Sequence, residues 1–192
     1  MILDQTQKQK EFIDDLLKLA GYLPNLAKGG KVDRGALADL RSGLGKEPGQ
    51  MARVHKHVVP HLPEKNDNDR WYYLIATLFG AYPQHRNGRS LGTAFRPLKK
   101  KSDSMEARFV ALLNAHPDDL DDHLRHAVSL LKNNDPPQPL DWFRLLQDLL
   151  QWGKTDGRVQ LRWAREFYKN PSLAANMTNS DSTVKEEDQN HE

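Results

Sequence analysis

The segment from Asp141 to Tyr168 constrains the fold most strongly, because it carries an apolar stripe at helical spacing on each side of one turn. The turn lies at Gly153, and leucines and tryptophans three and four residues apart precede it. Such spacing places them on one buried helix face. The helix after the turn repeats the pattern with its own aromatic residues. We therefore predict a helical hairpin with an aromatic core made of Trp142, Trp152, Trp163 and Phe167.

A row of cations lies on the side of the second helix opposite its aromatic residues. The row consists of Arg158, Arg162, Arg165 and Lys169, at intervals of four, three and four residues. At about 100° per residue these side chains project within a narrow arc. Glu166 is the only acidic residue in this stretch, so the balanced pairs typical of a solvated helix face are missing. The row indicates a surface for a polyanion whose charges repeat along an axis.

Most of the remaining chain also shows helical periodicity. Apolar residues recur three and four positions apart in residues 7–20, 34–45, 48–60, 70–82, 103–116 and 120–132, and SLGTAF at 90–95 predicts a short helix before Pro97. Asp33 is a suitable N-cap for the second of these helices. No segment alternates convincingly with a period of two, so we expect no sheet. The sequence predicts an all-α fold of two small helical bundles, residues 1–98 and 102–170, joined by a short linker.

The net charge of +2 hides an uneven distribution of charge along the chain. Residues 171–192 contain one lysine and five acidic residues, a net charge of −4, which leaves 27 basic and 21 acidic residues, or +6, for residues 1–170. A basic body is compatible with nucleic-acid binding. The acidic segment contains few large apolar residues, and we predict a disordered tail at 171–192.

Several function classes find no support in the sequence. The chain has no cysteine, which excludes disulfides and thiolate metal sites and fits a reducing, cytoplasmic environment. It has no run of about 18 apolar residues and no signal-peptide pattern, so we expect no contact with a membrane. The glycine-rich phosphate loops and the nucleophile elbow of common enzymes are not found. We therefore predict no catalytic residue and no cofactor.

Two alternative functions remain open at this stage. His123 and His126, preceded by aspartates at 118, 119, 121 and 122, could belong to a metal-dependent hydrolase. A hydrolytic site needs three or more converging ligands, however, and acidic residues favour a helix N-terminus without any metal. We therefore predict no metal site. The second alternative is a helical protein-interaction module whose basic face binds an acidic partner.

Six short motifs occur along the chain in a definite order. They are RGALADLR at 34–41, SLGxA at 90–94, ARFxxLL at 107–113, LxxHLR at 120–125, DWxxLLxDLxxW at 141–152 and VxxRWARxF at 159–167. In these motifs and in their order the chain resembles the CasB family, the small subunit of the type I-E CRISPR surveillance complex Cascade. The resemblance covers about residues 8 to 169.

The resemblance implies a non-enzymatic, all-helical subunit. Family members lie as a pair in Cascade beside its other subunits, contact the duplex of CRISPR RNA and target DNA, and hold the displaced single-stranded DNA through basic residues. By position it implies contacts from Arg41, Arg70, Arg125 and Lys154, whereas Ser42 stands where some relatives carry a second basic residue. With the helical row and with Arg34, which shares a helix face with Arg41, the candidate set is Arg34, Arg41, Arg70, Arg125, Lys154, Arg158, Arg162 and Arg165.

Removal of residues 171–192 tests whether the acidic segment packs against the body. Because this segment has little apolar surface to bury, we expect the melting temperature to change by no more than about 2 °C, the shift that about 0.5 kcal/mol produces in a domain of this size. Calorimetry of the shortened and full chains measures the change. A fall of about 10 °C would show that the segment belongs to the core.

Overall fold

The computed structural model describes residues 2–25, 27–48, 50–64, 68–154 and 156–169. Within those residues the helical fold class predicted from the sequence is confirmed. The predicted tail at 171–192 lies outside the described residues. In chain order the elements are α1 (Ile2–Leu19), β1 (Ala20–Tyr22), β2 (Lys28–Val32), α2 (Arg34–Ser42), α3 (Ala52–Val58) followed by a 3-10 turn (Val59–His61), α4 (Asp69–Ala81), α5 (Leu91–Lys99), α6 (Asp103–Leu113), α7 (Leu120–Asn133), α8 (Trp142–Gln151) and α9 (Arg158–Tyr168).

Capping side chains determine where two of the helices begin. The predicted N-cap Asp33 accepts a hydrogen bond from the backbone N–H of Ala36 at 2.9 Å. Asp141 caps α8 in the same way, accepting from the N–H of Arg144 at 3.0 Å and also from that of Gly88 at 2.7 Å. Caps of this kind contribute about 1 kcal/mol each. Asp141 therefore both starts α8 and holds it against the turn that precedes α5.

Helix α4 lies at the centre of the fold. Nine of its residues are buried, and α2, α3, α7 and α8 all pack on it. Helix α2 lies close to α4 at Gly80, where a Cβ would lie 2.6 Å from the Cβ of Leu40 and 2.7 Å from the backbone nitrogen of Arg41. The bare backbone of Gly80 therefore permits this approach. The buried side chains form one continuous core that includes Phe12 of α1 and Trp142 of α8.

The predicted aromatic core of the α8–α9 hairpin is confirmed. Trp142 and Trp163 are fully buried, and Trp152 and Phe167 are at most 5% exposed. The ring of Phe109, from α6, stacks on that of Phe167 with centroids 4.2 Å apart. The cationic row of α9 therefore lies on the side of the helix that faces away from this core, as the spacing of the aromatic residues predicted.

Helix α5 joins the two halves of the chain. It packs mainly on α9, and a Cβ on Gly92 would lie only 2.3 Å from the carbonyl oxygen of Trp163. The division into bundles at residues 98–102 stays a prediction. The expected end of this helix before Pro97 is wrong, because α5 continues to Lys99. A proline in the last turn removes only one backbone hydrogen bond, so the helix can pass through it.

The expectation that the chain contains no sheet is wrong in one place. Strands β1 and β2 pair in an antiparallel hairpin directly after α1. Gly21 has a φ of +77° and lies so close to Gly30 that a Cβ would be 2.7 Å from its carbonyl oxygen. Strand β1 is buried throughout and β2 is exposed on both faces, so neither strand alternates. The period-two signal was therefore missing, and the glycines suggested only a helix end.

Substitution of Gly92 tests the contact between α5 and α9. In Gly92→Ala the added methyl group meets the backbone of Trp163, so one helix must shift, and we expect a loss of about 1–3 kcal/mol in the free energy of unfolding. Gly35→Ala is the matched control, because this exposed glycine in α2 has no neighbour closer than 3.4 Å to an added Cβ. The control should gain up to about 1 kcal/mol from helix propensity. Urea denaturation measures the free energy of unfolding of both variants. A Gly92→Ala variant as stable as the parent would contradict the close contact between α5 and α9.

Candidate nucleic-acid interface

Helices α4 and α7 run side by side in the same direction. At their starts, Nη2 of Arg70 lies 2.8 Å from Oδ1 of Asp121. At their ends, Nζ of Lys132 donates a hydrogen bond to the carbonyl oxygen of Ala81 at 3.2 Å. Eleven residues separate the two contacts on each helix. The buried helix α4 therefore provides an axis along which the candidate cations can be placed.

Arg70 lies at the start of this axis and is held by several groups. Its guanidinium contacts the carboxylates of Asp121 and, at 3.5 Å, Asp118, and it donates to the carbonyl oxygen of Pro117 at 3.0 Å. The guanidinium carbon also lies 4.5 Å from the ring centroid of Trp71. These contacts tie the loop before α7 to α4. Arg70 therefore has a structural role, with about a third of its side chain still exposed.

Lys154 lies at the same end of α4 as Arg70. Its side chain is exposed, and Nζ donates a 3.4 Å hydrogen bond to the side-chain oxygen of Asn68, the residue before α4. Gly153, with a φ of +77°, makes the turn that brings it there, and a Cβ on this glycine would lie 3.4 Å from Pro117. Lys154 therefore lies next to the loop that Arg70 holds.

Arg125 and Arg41 follow further along α4. Arg125 is one turn after Asp121 on α7, and its guanidinium carbon lies 3.8 Å from where a Cβ on Gly45 would be. It also pairs with Asp122. Its side chain thus reaches from α7 to the segment after α2. Arg41 lies at the far end, where its Nε donates to the carbonyl oxygen of Gly80 at 3.2 Å.

Four cations predicted from the resemblance therefore lie in order along one helix. The order is Lys154, Arg70, Arg125 and Arg41. The twelve residue steps of α4 correspond to roughly 18 Å at 1.5 Å per residue. We call this arrangement the α4 track. It spans about five phosphates of one strand at 3.4 Å per phosphate along a duplex axis.

Lys132 belongs at the Arg41 end of this track and was missed by the sequence analysis. Arg41 and Lys132 bind the adjacent carbonyl oxygens of Gly80 and Ala81, which carry the partial negative charge of the C-terminus of α4. The spacing of seven residues between Arg125 and Lys132 places both on one face of α7. That spacing was the available signal.

Arg34 lies beyond the end of the track. Helix α2 runs opposite to α4, because Gly80 contacts Leu37 and Leu40 whereas Gly43 contacts Thr77. Arg34 is the first residue of α2 and is exposed. It therefore extends the track past the C-terminus of α4.

The structure divides the cationic row of α9 into two groups. Arg158 and Arg165 are exposed, as the row hypothesis requires. Arg162 is also exposed, at 44% of its side chain, but it forms an ion pair with the carboxylate of Asp148 on α8. Arg162 therefore has a structural partner, as Arg70 and Arg125 do, and its contact with nucleic acid stays a prediction. The sequence placed Arg162 on the outer side of α9 but could not show that α8 presents a carboxylate there.

Asp148 is a buried acid whose charge is balanced by two neighbours. Only 4% of its side chain is exposed. Burial raises the pKa of Asp148, and this effect is opposed by a 2.5 Å hydrogen bond from the indole N–H of Trp163 and by Arg162. A similar pair lies nearby, where Arg144 contacts Glu166 at 2.5 Å. The α8–α9 hairpin is thus held by its aromatic core and by two ion pairs beside it.

The metal hypothesis finds no ligand set in the part of the chain that the structure describes, where no three His, Asp or Glu side chains converge. The Nδ1 atom of His126 lies 3.1 Å from the carbonyl oxygen of Asp122 in its own helix. None of the described helices is long and apolar enough to span a bilayer.

Comparison with known proteins identifies the family. A sequence model of the family described as CRISPR-associated protein Cse2 matches residues 36–168. This chain belongs to the CasB/Cse2 family. It is 36% identical over 163 residues to a CRISPR-associated protein Cse2 of Thermus thermophilus, across 83% of this chain and 89% of the relative.

Solved structures of CasB/Cse2 proteins share the fold. A Cse2-family protein from Thermus thermophilus superposes with a TM-score of 0.68 at 34% identity, across 83% of this chain and 97% of the other. The CasB protein of M. ruber does so with a TM-score of 0.65 at 28% identity, across 90% and 98%. The match to the family model ends at residue 168, just before the acidic segment.

Arg162→Ala tests the structural role of this arginine. It leaves the buried carboxylate of Asp148 without its ion-pair partner, and we expect a loss of about 1–3 kcal/mol in the free energy of unfolding at pH 7. Arg165→Ala, an exposed cation of the same helix, should change stability by no more than about 0.5 kcal/mol. Equal losses in the two variants, measured by urea denaturation, would contradict this assignment.

The loss in Arg162→Ala should also depend on pH. Without Arg162 the pKa of Asp148, already raised by burial above its ordinary value of 3.8, rises further. A carboxyl with a raised pKa in the folded state favours folding when it is protonated, and this contribution is lost as the pH rises through that pKa. The penalty should therefore be small near pH 4 and grow toward pH 7. A penalty that stays constant over this range would exclude Asp148 as its cause.

Proposed function

We propose that this chain is the non-catalytic small subunit of a Cascade-type, RNA-guided CRISPR surveillance complex, and that it binds nucleic-acid backbones without reading sequence. Membership of the CasB/Cse2 family supports the first part. The single observation that supports the second is the order of Lys154, Arg70, Arg125 and Arg41 along α4. Its partners are other Cascade subunits, a second copy of the chain, CRISPR RNA, target DNA and the displaced single strand.

The chemistry of the α4 track favours phosphate contacts over base contacts. Lysine and arginine neutralise phosphates and release counterions whatever the sequence. Stacking on bases would require exposed aromatic rings. Among the described residues the exposed large apolar side chains include one aromatic residue, Tyr168, at the far end of α9. The described surface thus offers charge along an axis but no stacking platform beside the track.

The supporting contacts orient two of the four cations of the track. Arg70 and Arg41 are held by backbone carbonyl oxygens of Pro117 and Gly80, so part of each guanidinium is already oriented before any ligand binds. Orientation before binding lowers the entropy that a flexible side chain loses on binding. In an RNA-guided complex base pairing reads the sequence, and the protein holds backbones and the displaced strand. A line of cations that is partly oriented in advance suits this task.

A double substitution tests the α4 track. Arg125→Gln with Lys154→Gln removes two charges while leaving Arg70 in place. Each phosphate contact on a single strand contributes about −0.7 to the slope of log affinity against log salt. We therefore expect the slope to flatten by about 1.4 and the affinity at 0.1 M salt to fall about 10- to 25-fold. Titration of fluorescent single strands of two unrelated sequences at several salt concentrations measures both.

Lys8→Gln with Lys10→Gln is the matched control. Both lysines are exposed on α1, so the control removes the same charge away from the track. Its slope should stay close to that of the parent. Equal losses of affinity in the two variants would indicate that binding depends on the overall positive charge of the protein rather than on the α4 track. An unchanged affinity and slope in the track variant would favour a basic face for an acidic protein partner instead.

A further inference from the structure

We propose that the acidic C-terminal segment of this chain, residues 171–192, binds to a cluster of cations around the end of α9 and competes there with nucleic acid. The binding of the segment to these cations does not depend on the proposed function, whereas the competition with nucleic acid rests on it. We call the cluster the basic end. It consists of Lys99, Lys100, Lys101, Arg165 and Lys169.

The basic end forms where α5 and α9 finish side by side. Nζ of Lys99 lies 4.5 Å from the ring centroid of Tyr168 and 5.5 Å from that of Phe167. Lys100 and Lys101 follow Lys99 directly in the chain, and Nζ of Lys101 donates a 3.0 Å hydrogen bond to the carbonyl oxygen of Asp135. Arg165, one turn before Tyr168, lies on the same side of that helix. The described residues end at Lys169, two positions before the acidic segment in the sequence.

Positive charge is in excess at the basic end. All five cations are exposed. The neighbouring acids are Glu106, 3.4 Å from Lys99, Asp103, two residues after Lys101, and Asp135, whose carbonyl oxygen accepts a hydrogen bond from Lys101. Five positive and three negative charges leave a net +2. The segment of 171–192 carries a net −4, so the two surfaces are complementary.

The length of the segment is sufficient to bring its acids back to this surface. Its acidic residues are Asp181, Glu186, Glu187, Asp188 and Glu192. A flexible tether of about 18 residues has a root-mean-square length of roughly 23 Å. Such a tether presents its end at a millimolar effective concentration. Individually weak ion pairs are therefore enough to keep the segment bound for much of the time at low salt.

Competition follows from the shared chemistry of carboxylates and phosphates. Arg158 and Arg165, both exposed on α9, belong to the candidate nucleic-acid contacts predicted from the sequence, and Arg165 is also part of the basic end. A bound acidic segment would occupy the end of that row and repel phosphates from it. The segment also lies outside residues 36–168, which the family model matches. We infer that it moderates indiscriminate binding of polyanions by the free subunit.

Carbodiimide cross-linking of the full chain tests the binding directly. The reagent joins carboxylates only to amines in contact with them, and mass spectrometry locates the joined residues. We expect links from Glu186, Glu187 or Asp188 to Lys100, Lys101 or Lys169, and a loss of these links at 1 M salt. The exposed Lys8 and Lys10 of α1 are internal controls. Links to the controls at equal yield would overturn the proposal.

A mixture of isotopically light and heavy chains identifies the source of the segment. Links within one chain carry one label, whereas about half of the links between chains carry both labels when the two forms are mixed in equal amounts. Tail links of which about half are mixed would show that the basic end binds the segment of a second copy, which contradicts docking within one chain. A Lys100→Gln, Lys101→Gln variant should lose most tail links to the basic end. If the links from the acidic segment to Lys169 kept their full yield in this variant, Lys100 and Lys101 would not contribute to binding the segment.

Competition is measured on a full chain whose five tail acids are replaced by Asn or Gln. At low salt we expect this variant to bind a fluorescent single strand about two- to fivefold more tightly than the parent, since the tail no longer occupies the surface. The difference should vanish at high salt. Equal affinities at low salt would overturn the competition. If neither the parent nor the variant binds the strand, the proposed nucleic-acid binding is wrong. The cross-linking experiment still tests whether the acidic segment binds to the basic end.

Discussion

Burial of α4 on most of its surface is the constraint on which the rest of this structure depends. A helix with nine buried residues must be covered by others, and α2, α3, α7 and α8 supply that cover. Gly80 permits the close approach of α2. Charged side chains then contact α4 at its polar ends. Arg70 meets its start, and Arg41 and Lys132 meet its terminal carbonyl oxygens. The packing that forms the core therefore also orders the cations.

The cations of this surface differ in how far the fold itself uses them. Arg70 and Arg162 contact carboxylates that hold helices together, so each guanidinium acts partly as a structural group. Lys154, Arg158 and Arg165 project into solvent. A held guanidinium contributes a positive field at a definite position, whereas an exposed cation can neutralise a phosphate at little structural cost. Site and scaffold consequently share residues along α4 and α9.

Much of the fold could be predicted from the sequence because the signals are local. The aromatic spacing in α8 and α9, the N-cap Asp33, and the glycine turn between the last two helices all act within a few residues. The β-hairpin was missed for the opposite reason. One of its strands is buried on both faces and the other is exposed on both, so pairing depends on the contact between Gly21 and Gly30 rather than on any alternation.

The sequence by itself determined which segments are helical, which helix faces are apolar, and that cations recur along the outer faces. Only the tertiary structure decided how those cations are arranged. Lys132 lies beside Arg41 because α7 runs parallel to α4, and Arg162 has a structural partner because α8 brings the buried Asp148 against it. Helical periodicity is set by neighbours three and four residues away. Ion pairs and tracks are set by contacts between residues as far apart as Arg70 and Asp121, which no local pattern encodes.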